Sequence, residues 1–363
     1  MYKSFWYTLS DKNKPVFIYG TGNGADKIID ILGHIGVKIS GIFASDGFVR
    51  SRTFRDFPVR SYSSVREEFG DDMIILAAFG TTLPDVIDFL RLLDERHELY
   101  IPEVPLFCDD LISELFTDEY YTKHRAKLHE VRSILADEES LLLFDEMVAH
   151  RLTGKMKFLM RTESPSESLR SVFDTGSIHS AIDGGAFKGD TAELFCDVFP
   201  NLDGLVAVEP DPRSHKKLSI MAESHGDSKI IPLCAMLDEC SGERVFVSSG
   251  SRGSAPDAAI PGSPKRAKEI HTTAISIDDI VREHLDGKID FLKLDTEGFE
   301  MAALYSATET LKRHPALSVS LYHRTGDIFE LPLYIRKFYP NGKYYLRRPM
   351  CIPEWDLTLY VTE

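Results

Sequence analysis

The sequence predicts two α/β domains in tandem, the second larger than the first, and three observations predict it. An apolar run leads into a glycine turn and then a helical pattern twice, near residue 20 and again near residue 184. That is the order of a βαβ unit. Between the two units, residues 109–170 carry apolar positions at helical spacing with Gly154 as their one glycine. At 363 residues, the chain also exceeds what one hydrophobic core organises. The resulting division is an N-terminal Rossmann-like domain over 1–108, a helical linker over 109–175 and a second α/β domain over 176–363.

In the first domain, residues 16–19 form an apolar strand, Gly20-Thr21-Gly22-Asn23-Gly24-Ala25 the turn, 26–35 a helix and 37–43 a second strand. Further strands are predicted over 73–79 and 98–101, with an amphipathic helix over 83–96 between them. The G-x-G-x-x-A spacing, with Asp46 after the second strand, meets that of a dinucleotide fingerprint. A bound nucleotide or a purely structural turn are equally open readings.

The linker reads as two helices meeting near residues 136–140, with Leu128, Val131 and Leu135 on one side and 141–152 on the other. In the second domain, strands are predicted over 178–183, 204–209, 230–234, 291–295 and 317–322. A closing hairpin is predicted from 343–347 and 357–362, so the sheet is mostly parallel with an antiparallel C-terminal edge. Residues 248–266, rich in Ser, Gly and Pro, read as a long loop, either a lid or a plain surface insertion.

A hydrophobic share of 43% is that of a soluble globular protein. The formal net charge of -15 argues against nucleic acid and anionic membrane as partners, since both need clustered basic surface. No apolar run approaches the roughly 18 residues of a membrane span, and the first residues lack the pattern of a signal peptide. Cys108, Cys196, Cys234, Cys240 and Cys351 form no CxxC pair and no zinc spacing. Free thiols in a cytoplasmic protein are the expectation.

Four segments carry the chemistry. Residues 181–191, Ala-Ile-Asp-Gly-Gly-Ala-Phe-Lys-Gly-Asp-Thr, place Gly184, Gly185 and Gly189 where a ligand can approach the backbone, with Thr191 at the following helix start. Asp183, at the strand end, suits the cationic amino group of an amino-acid-like ligand. Glu209 ends the next strand, about two dozen residues on, where the vicinal hydroxyls of a ribose would lie. Asp295 and Glu297, in Leu-Lys-Leu-Asp-Thr-Glu-Gly-Phe-Glu, fall at the carboxyl edge of a buried strand. His323, after the following strand, falls on the same rim.

Together these segments resemble the FkbM family of S-adenosylmethionine-dependent methyltransferases, and the five blocks that carry the resemblance are IDGGAFKGDT, VAVEPDP, TTAISIDDI, IDFLKLDTEGFE and LSVSLYHRTGDIFELPLYI. The resemblance runs from about residue 178 to the C-terminus. It implies a class I methyltransferase-like Rossmann fold with a seven-stranded sheet. It implies cofactor binding by Asp183, Gly184, Gly185, Gly189, Thr191 and Glu209, with Asp238 near the adenine. Asp295, Glu297 and His323 are implied as the catalytic residues beside the transferred methyl. The tail, Leu346-Arg347-Arg348-Pro349, departs from the family by lacking the histidine often found in this hairpin.

The implied activity is O-methylation of a hydroxyl on a sugar, sugar nucleotide or related small molecule, with base assistance preferred over an obligatory Mg²⁺ or Mn²⁺. Two rivals stand beside it. One is an NAD-dependent oxidoreductase or epimerase working through the first glycine turn. The other is a non-catalytic sugar-nucleotide-binding protein. The first leaves the segments around Asp183 and Asp295 without a role, and their joint presence weighs against the second.

Overall fold

In the first sheet, strand residues of alternating orientation are buried on both faces: Phe17 and Tyr19 enter one apolar core while Val16 and Ile18 enter another. Such double burial is what a parallel sheet covered by helices requires. The computed structural model describes residues 3–49, 53–225, 229–239, 241–248, 255–256 and 268–363.

The first sheet has six strands in the order Thr53–Phe54, Phe57–Ser61, Gly41–Ala44, Val16–Tyr19, Ile74–Ala77 and Glu98–Tyr100, parallel except for the small hairpin at its start. Its second predicted strand begins at Gly41 rather than at residue 37. Gly36 takes a left-handed conformation at φ 76, and Val37 N–H donates to Leu32 O at 2.8 Å. Val37 therefore closes the preceding helix, and residues 38–40 lead into the sheet, where Ser40 N–H donates to Val16 O at 2.7 Å. The strand Phe57–Ser61 and the helix Tyr62–Phe69 were not predicted. Pro58 and two charged or polar positions hide the alternation of so short a strand.

The linker holds the helices Asp118–Ile134, Glu138–Thr153 and Pro165–Val172. The first two do more than connect. Leu128, Val131, Leu143, Phe144 and Met147 share one apolar core with Phe17, Tyr19 and Ile75 of the first sheet and with Leu292, Leu294 and Val319 of the second.

The second large sheet has seven strands in the order Lys343–Arg347, Thr358–Thr362, Ala316–Ser320, Phe291–Leu294, Ser180–Gly184, Gly204–Val208 and Ile230–Leu233. Thr358–Thr362 runs antiparallel to both of its neighbours. The chain reverses once inside the hairpin and slots its last strand between Ala316–Ser320 and Lys343–Arg347. A further sheet of Ala235–Leu237, Lys268–Ile275, Gly242–Ser248 and Ala255–Pro256 was not foreseen. The predicted loop over 248–266 lies outside the described residues apart from Ser248 and Ala255–Pro256.

Alternation decides what each face of the seven-stranded sheet carries. Ile182, Val206, Val208, Leu292 and Leu294 point into the shared core, while Ala181, Leu205, Ala207 and Phe291 point to the opposite core under the helices Pro165–Val172 and Asp190–Val198. Among the described residues, no helix is long and apolar enough to cross a membrane. Cys108 and Cys234 are free thiols, and Cys240 lies outside the described residues.

Candidate active site

The site grows from the carboxyl ends of three neighbouring strands. Ser180–Gly184 leads into the glycine turn, where Gly185 takes φ 81, and a Cβ there would come within 1.8 Å of the Asp295 carbonyl oxygen. Only glycine lets these two strand ends meet so closely. Gly184 abuts Leu237 and Leu294 in the same way. Gly189, at φ 97, is the N-cap of the helix Asp190–Val198, and Thr191 lies in that helix's first turn.

Asp183 is fully buried, and its Oδ1 lies 2.9 Å from Lys293 Nζ. The same ammonium donates to Gly185 O at 3.0 Å. Burial works against a charged lysine, but Asp183 and Asp295 outweigh it and raise the Lys293 pKa. The cation facing Asp183 is thus a side chain of the protein. Lys293 was not singled out in the sequence. Its signal was a charged residue at the third position of the otherwise apolar buried strand Phe291–Leu294, a place where lysine needs a partner.

Glu209 stands at the end of the adjacent strand with 7% of its surface exposed. Its Oε2 accepts from Phe187 N–H at 2.9 Å and its Oε1 from Asp211 N–H at 2.8 Å. Burial pushes its carboxyl up to about 7 against the lowering effect of those two bonds. A buried acid already holding the glycine turn retains lone pairs for two further neutral donors. Asp238 follows Ala235–Leu237 and sits 2.6 Å from Arg244 Nε, so its carboxylate is engaged within its own sheet.

On the other side of Asp183, three carboxylates converge on His323. The imidazole is fully buried, its Nδ1 2.9 Å from Glu300 Oε1 and its Nε2 3.5 Å from Asp295 Oδ1 and 3.6 Å from Glu297 Oε2. Tyr322 Oη donates to Asp295 Oδ1 at 3.1 Å. Burial opposes protonation of the ring, yet Glu300 above all, then Asp295 and Glu297, push its pKa up to about 10. Glu300 is 1% exposed and accepts from Thr296 N–H at 2.7 Å, tying the loop after the strand to its following helix. Glu297 takes φ 54 and Gly298 φ 88, a left-handed pair that turns the loop back toward His323.

Asp295, 31% exposed, opens into a cavity of ≈ 260 Å³ that also meets Asp190, Thr191, Lys293, Ser320 and Asp356. A wall of the site comes from the first domain. Phe107 N–H donates to His323 O at 3.1 Å, and its ring centroid lies 6.0 Å from that of His323. The same ring fills the space where a Cβ on Gly298 would stand, at 3.0 Å. Nothing in the sequence marked Phe107, since the contact joins residues more than two hundred positions apart.

Residues 183–345 match the family model of the methyltransferase FkbM domain. The chain carries an FkbM methyltransferase domain. As such it is an S-adenosylmethionine-dependent methyltransferase. The FkbM methyltransferase of Methylobacillus flagellatus KT has a crystal structure with a TM-score of 0.69, 17% identity, and coverage of 98% of this chain and 92% of that one. This likeness concerns the fold, and it includes the domain that precedes the FkbM domain. An O-methyltransferase from Bacillus cereus, solved in complex with SAH, overlaps at a TM-score of 0.34 and 11% identity over 68% of this chain and 96% of that one. No curated protein matches the chain at a significant level.

The glycine turn of the N-terminal domain differs from that of the FkbM domain in what surrounds it. Gly22, at φ 153, has open space where a Cβ would stand, while Asp46 accepts from Ser63 N–H at 3.0 Å and from the Ser63 hydroxyl. The acid that completes the dinucleotide spacing in the sequence thus holds the start of the helix Tyr62–Phe69. Gly80 packs directly under Trp355, and Thr81 pairs with Ile352. The carboxyl edge of the first sheet therefore leans on the C-terminal loop of the FkbM domain.

Proposed function

We propose that this methyltransferase moves the methyl group of S-adenosylmethionine to a hydroxyl of a sugar, sugar nucleotide or related small molecule. The observation that carries the reading is the cavity beside Asp295, lined by Asp190, Thr191, Ser318, Ser320, Asp356 and Thr358. These hydroxyls and carboxylates, set among the cations Lys293, Arg347 and Arg348 and the apolar Leu169, Leu194 and Phe195, suit an acceptor that is itself hydroxyl-rich, because its hydroxyls can pair with them.

The residues present fit the donor. Glu209 is a buried carboxylate with spare lone pairs, and two ribose hydroxyls are the neutral donors it can take. The glycine turn from Gly184 to Gly189, with Thr191, forms the wall along which the amino-acid end would lie, and Asp238 the neighbouring wall beyond Leu237. Asp183 supports the turn through Lys293. The bound sulfonium supplies an activated methyl group, so the chain has mainly to hold the acceptor oxygen in line.

Asp295, which lines the cavity, and the partly exposed Glu297 beside it take the hydroxyl's hydrogen bond as its proton leaves. His323, with no exposed surface, meets no substrate. It holds the two acids in place from behind. The preceding domain supplies the Phe107 wall. The free thiols of Cys108 and Cys234 fit a reducing compartment such as the cytoplasm.

The test is incubation with methyl-labelled donor and a panel of free sugars, glycosides and sugar nucleotides, with products read by mass. A mass gain of one methyl on a hydroxylated acceptor is the expected result. Transfer confined to nitrogen or carbon acceptors would overturn it. Formation of reduced nicotinamide from added NAD would point instead to the first domain.

A further inference from the structure

Three carboxylates around one buried imidazole leave negative charge uncompensated, even with both ring nitrogens protonated. Lys293, the lysine that acts on Asp295, is paired with Asp183, and Arg324 Nε is spent on Gly298 O. Isolated charges of one sign are costly to bury. The protein keeps Asp295, Glu297 and Glu300 together nonetheless, and the geometry shows how they are divided between the two ring nitrogens.

On one side, Glu300 Oε1 lies 2.9 Å from Nδ1. This is the place of a carboxylate that fixes the tautomer of a metal-bound histidine by taking its other N–H. On the other side, Nε2 is buried and, like Nδ1, makes no aligned hydrogen bond. It faces Asp295 Oδ1 at 3.5 Å and Glu297 Oε2 at 3.6 Å. These separations are too long for hydrogen bonds. They are the spacing of donor atoms that share one ion, since bonds of roughly 2.0–2.2 Å put neighbouring ligands about 3–3.6 Å apart. The ligand atoms of Asp295, Glu300 and His323 all lie within 4.8 Å of one another, and Glu297 Oε2 approaches the same ring from the Nε2 side.

We propose that His323 Nε2, Asp295 and Glu297 bind one divalent cation of the manganese type, with Glu300 as the positioning residue that orients the imidazole. An imidazole beside two carboxylates is a mixed nitrogen and oxygen set, which favours a transition ion over Mg²⁺. Asp295 and Glu297 remain partly exposed and Asp295 lines the cavity, so the cation has an open side at Asp295. A hydroxyl held there becomes more acidic, as water does on a bound metal. The site deepens the methyl-transfer reading above and draws its catalytic meaning from it.

The test uses the full chain, stripped with chelator and titrated with Mn²⁺ while the signal of the free ion is followed by electron paramagnetic resonance. One Mn²⁺ per chain is expected. Glu297→Gln, on a partly exposed loop, and His323→Gln should weaken binding at least tenfold. Glu300→Gln should weaken it by about 10–100-fold, and the exposed Asp88→Asn not at all. Circular dichroism shows which variants are folded, and Glu297→Gln decides if His323→Gln is not. Failure of the stripped wild type to bind Mn²⁺ at millimolar concentration, with or without donor, overturns the site, as does unchanged affinity in folded Glu297→Gln. Methyl transfer that persists in excess chelator, with no Mn²⁺ bound, removes the site and leaves the function standing. Mn²⁺ bound without transfer to any hydroxylated acceptor does the reverse.

Discussion

Lys293 Nζ lies 2.9 Å from Asp183 Oδ1 in a buried ion pair that joins the central strand of the FkbM domain to its neighbour. Removing one partner leaves the other charge buried alone, which costs about 3–5 kcal/mol. Lys293→Met should therefore lower stability by that amount in urea unfolding. Lys293→Met combined with Asp183→Leu should recover most of the loss. A single variant as stable as wild type would show that the pair does not hold these strands.

Glu209 sets a pH dependence in the free protein. Burial raises its carboxyl from 4.5 to about 7, so the native state binds more protons than the unfolded one across that interval. Stability from this group is then full below pH 4.5 and falls as pH rises through 7. The loss is ~3 kcal/mol at most, at about 1.4 kcal/mol per unit. Thermal unfolding of Glu209→Gln should lack this slope.

Donor binding runs the other way. Ribose hydroxyls bond more strongly to the ionised carboxylate, so affinity for S-adenosylmethionine should rise as pH passes 7. Glu209→Gln should bind about 1.5–3 kcal/mol more weakly and without that dependence. Calorimetry at two pH values measures both. Unchanged affinity in a folded variant would sink the ribose assignment.

Asp295 is the acid that both lines the cavity and faces His323. Asp295→Asn should slow methyl transfer by about 10²–10⁴-fold, with little change in donor affinity. Single-turnover kinetics separate the two. Near-normal transfer would leave positioning alone as the source of catalysis.

Phe107 links the first domain to the site through its bond to His323 O and its packing on Gly298. Phe107→Ala should destabilise the chain by about 3–5 kcal/mol and lower kcat more than it weakens donor binding. Phe107→Leu, which refills part of the volume, should restore much of kcat. Equal turnover in Phe107→Ala and wild type would confine the residue to packing.

The local order of elements was legible in the sequence because it is written in local chemistry. Apolar runs of strand length, glycines at the two turns and helical periodicity in the linker place eleven of the strands within a few residues, from Val16–Tyr19 to Thr358–Thr362. The small sheet through Lys268–Ile275 was not legible, since its strands carry His, Thr, Glu and Lys and lack the apolar alternation that marks a buried one. The rim residues Asp295, Glu297 and His323 were readable as a set because each follows an apolar strand end, and parallel strands bring such ends to one edge.

Which of those residues reach solvent, and which reach each other, was decided only by the tertiary structure. The sequence places Asp183 at a strand end and cannot say that the side chain across the sheet is Lys293, because register between strands a hundred residues apart depends on packing. It marks His323 as an ionisable group near the rim, whereas the fold buries its ring behind Asp295 and Glu297. Phe107 and Glu300 acquired their places from contacts across domains and across a turn. Periodicity reports how one segment meets its own core, and burial of a polar side chain depends on what the rest of the chain lays over it.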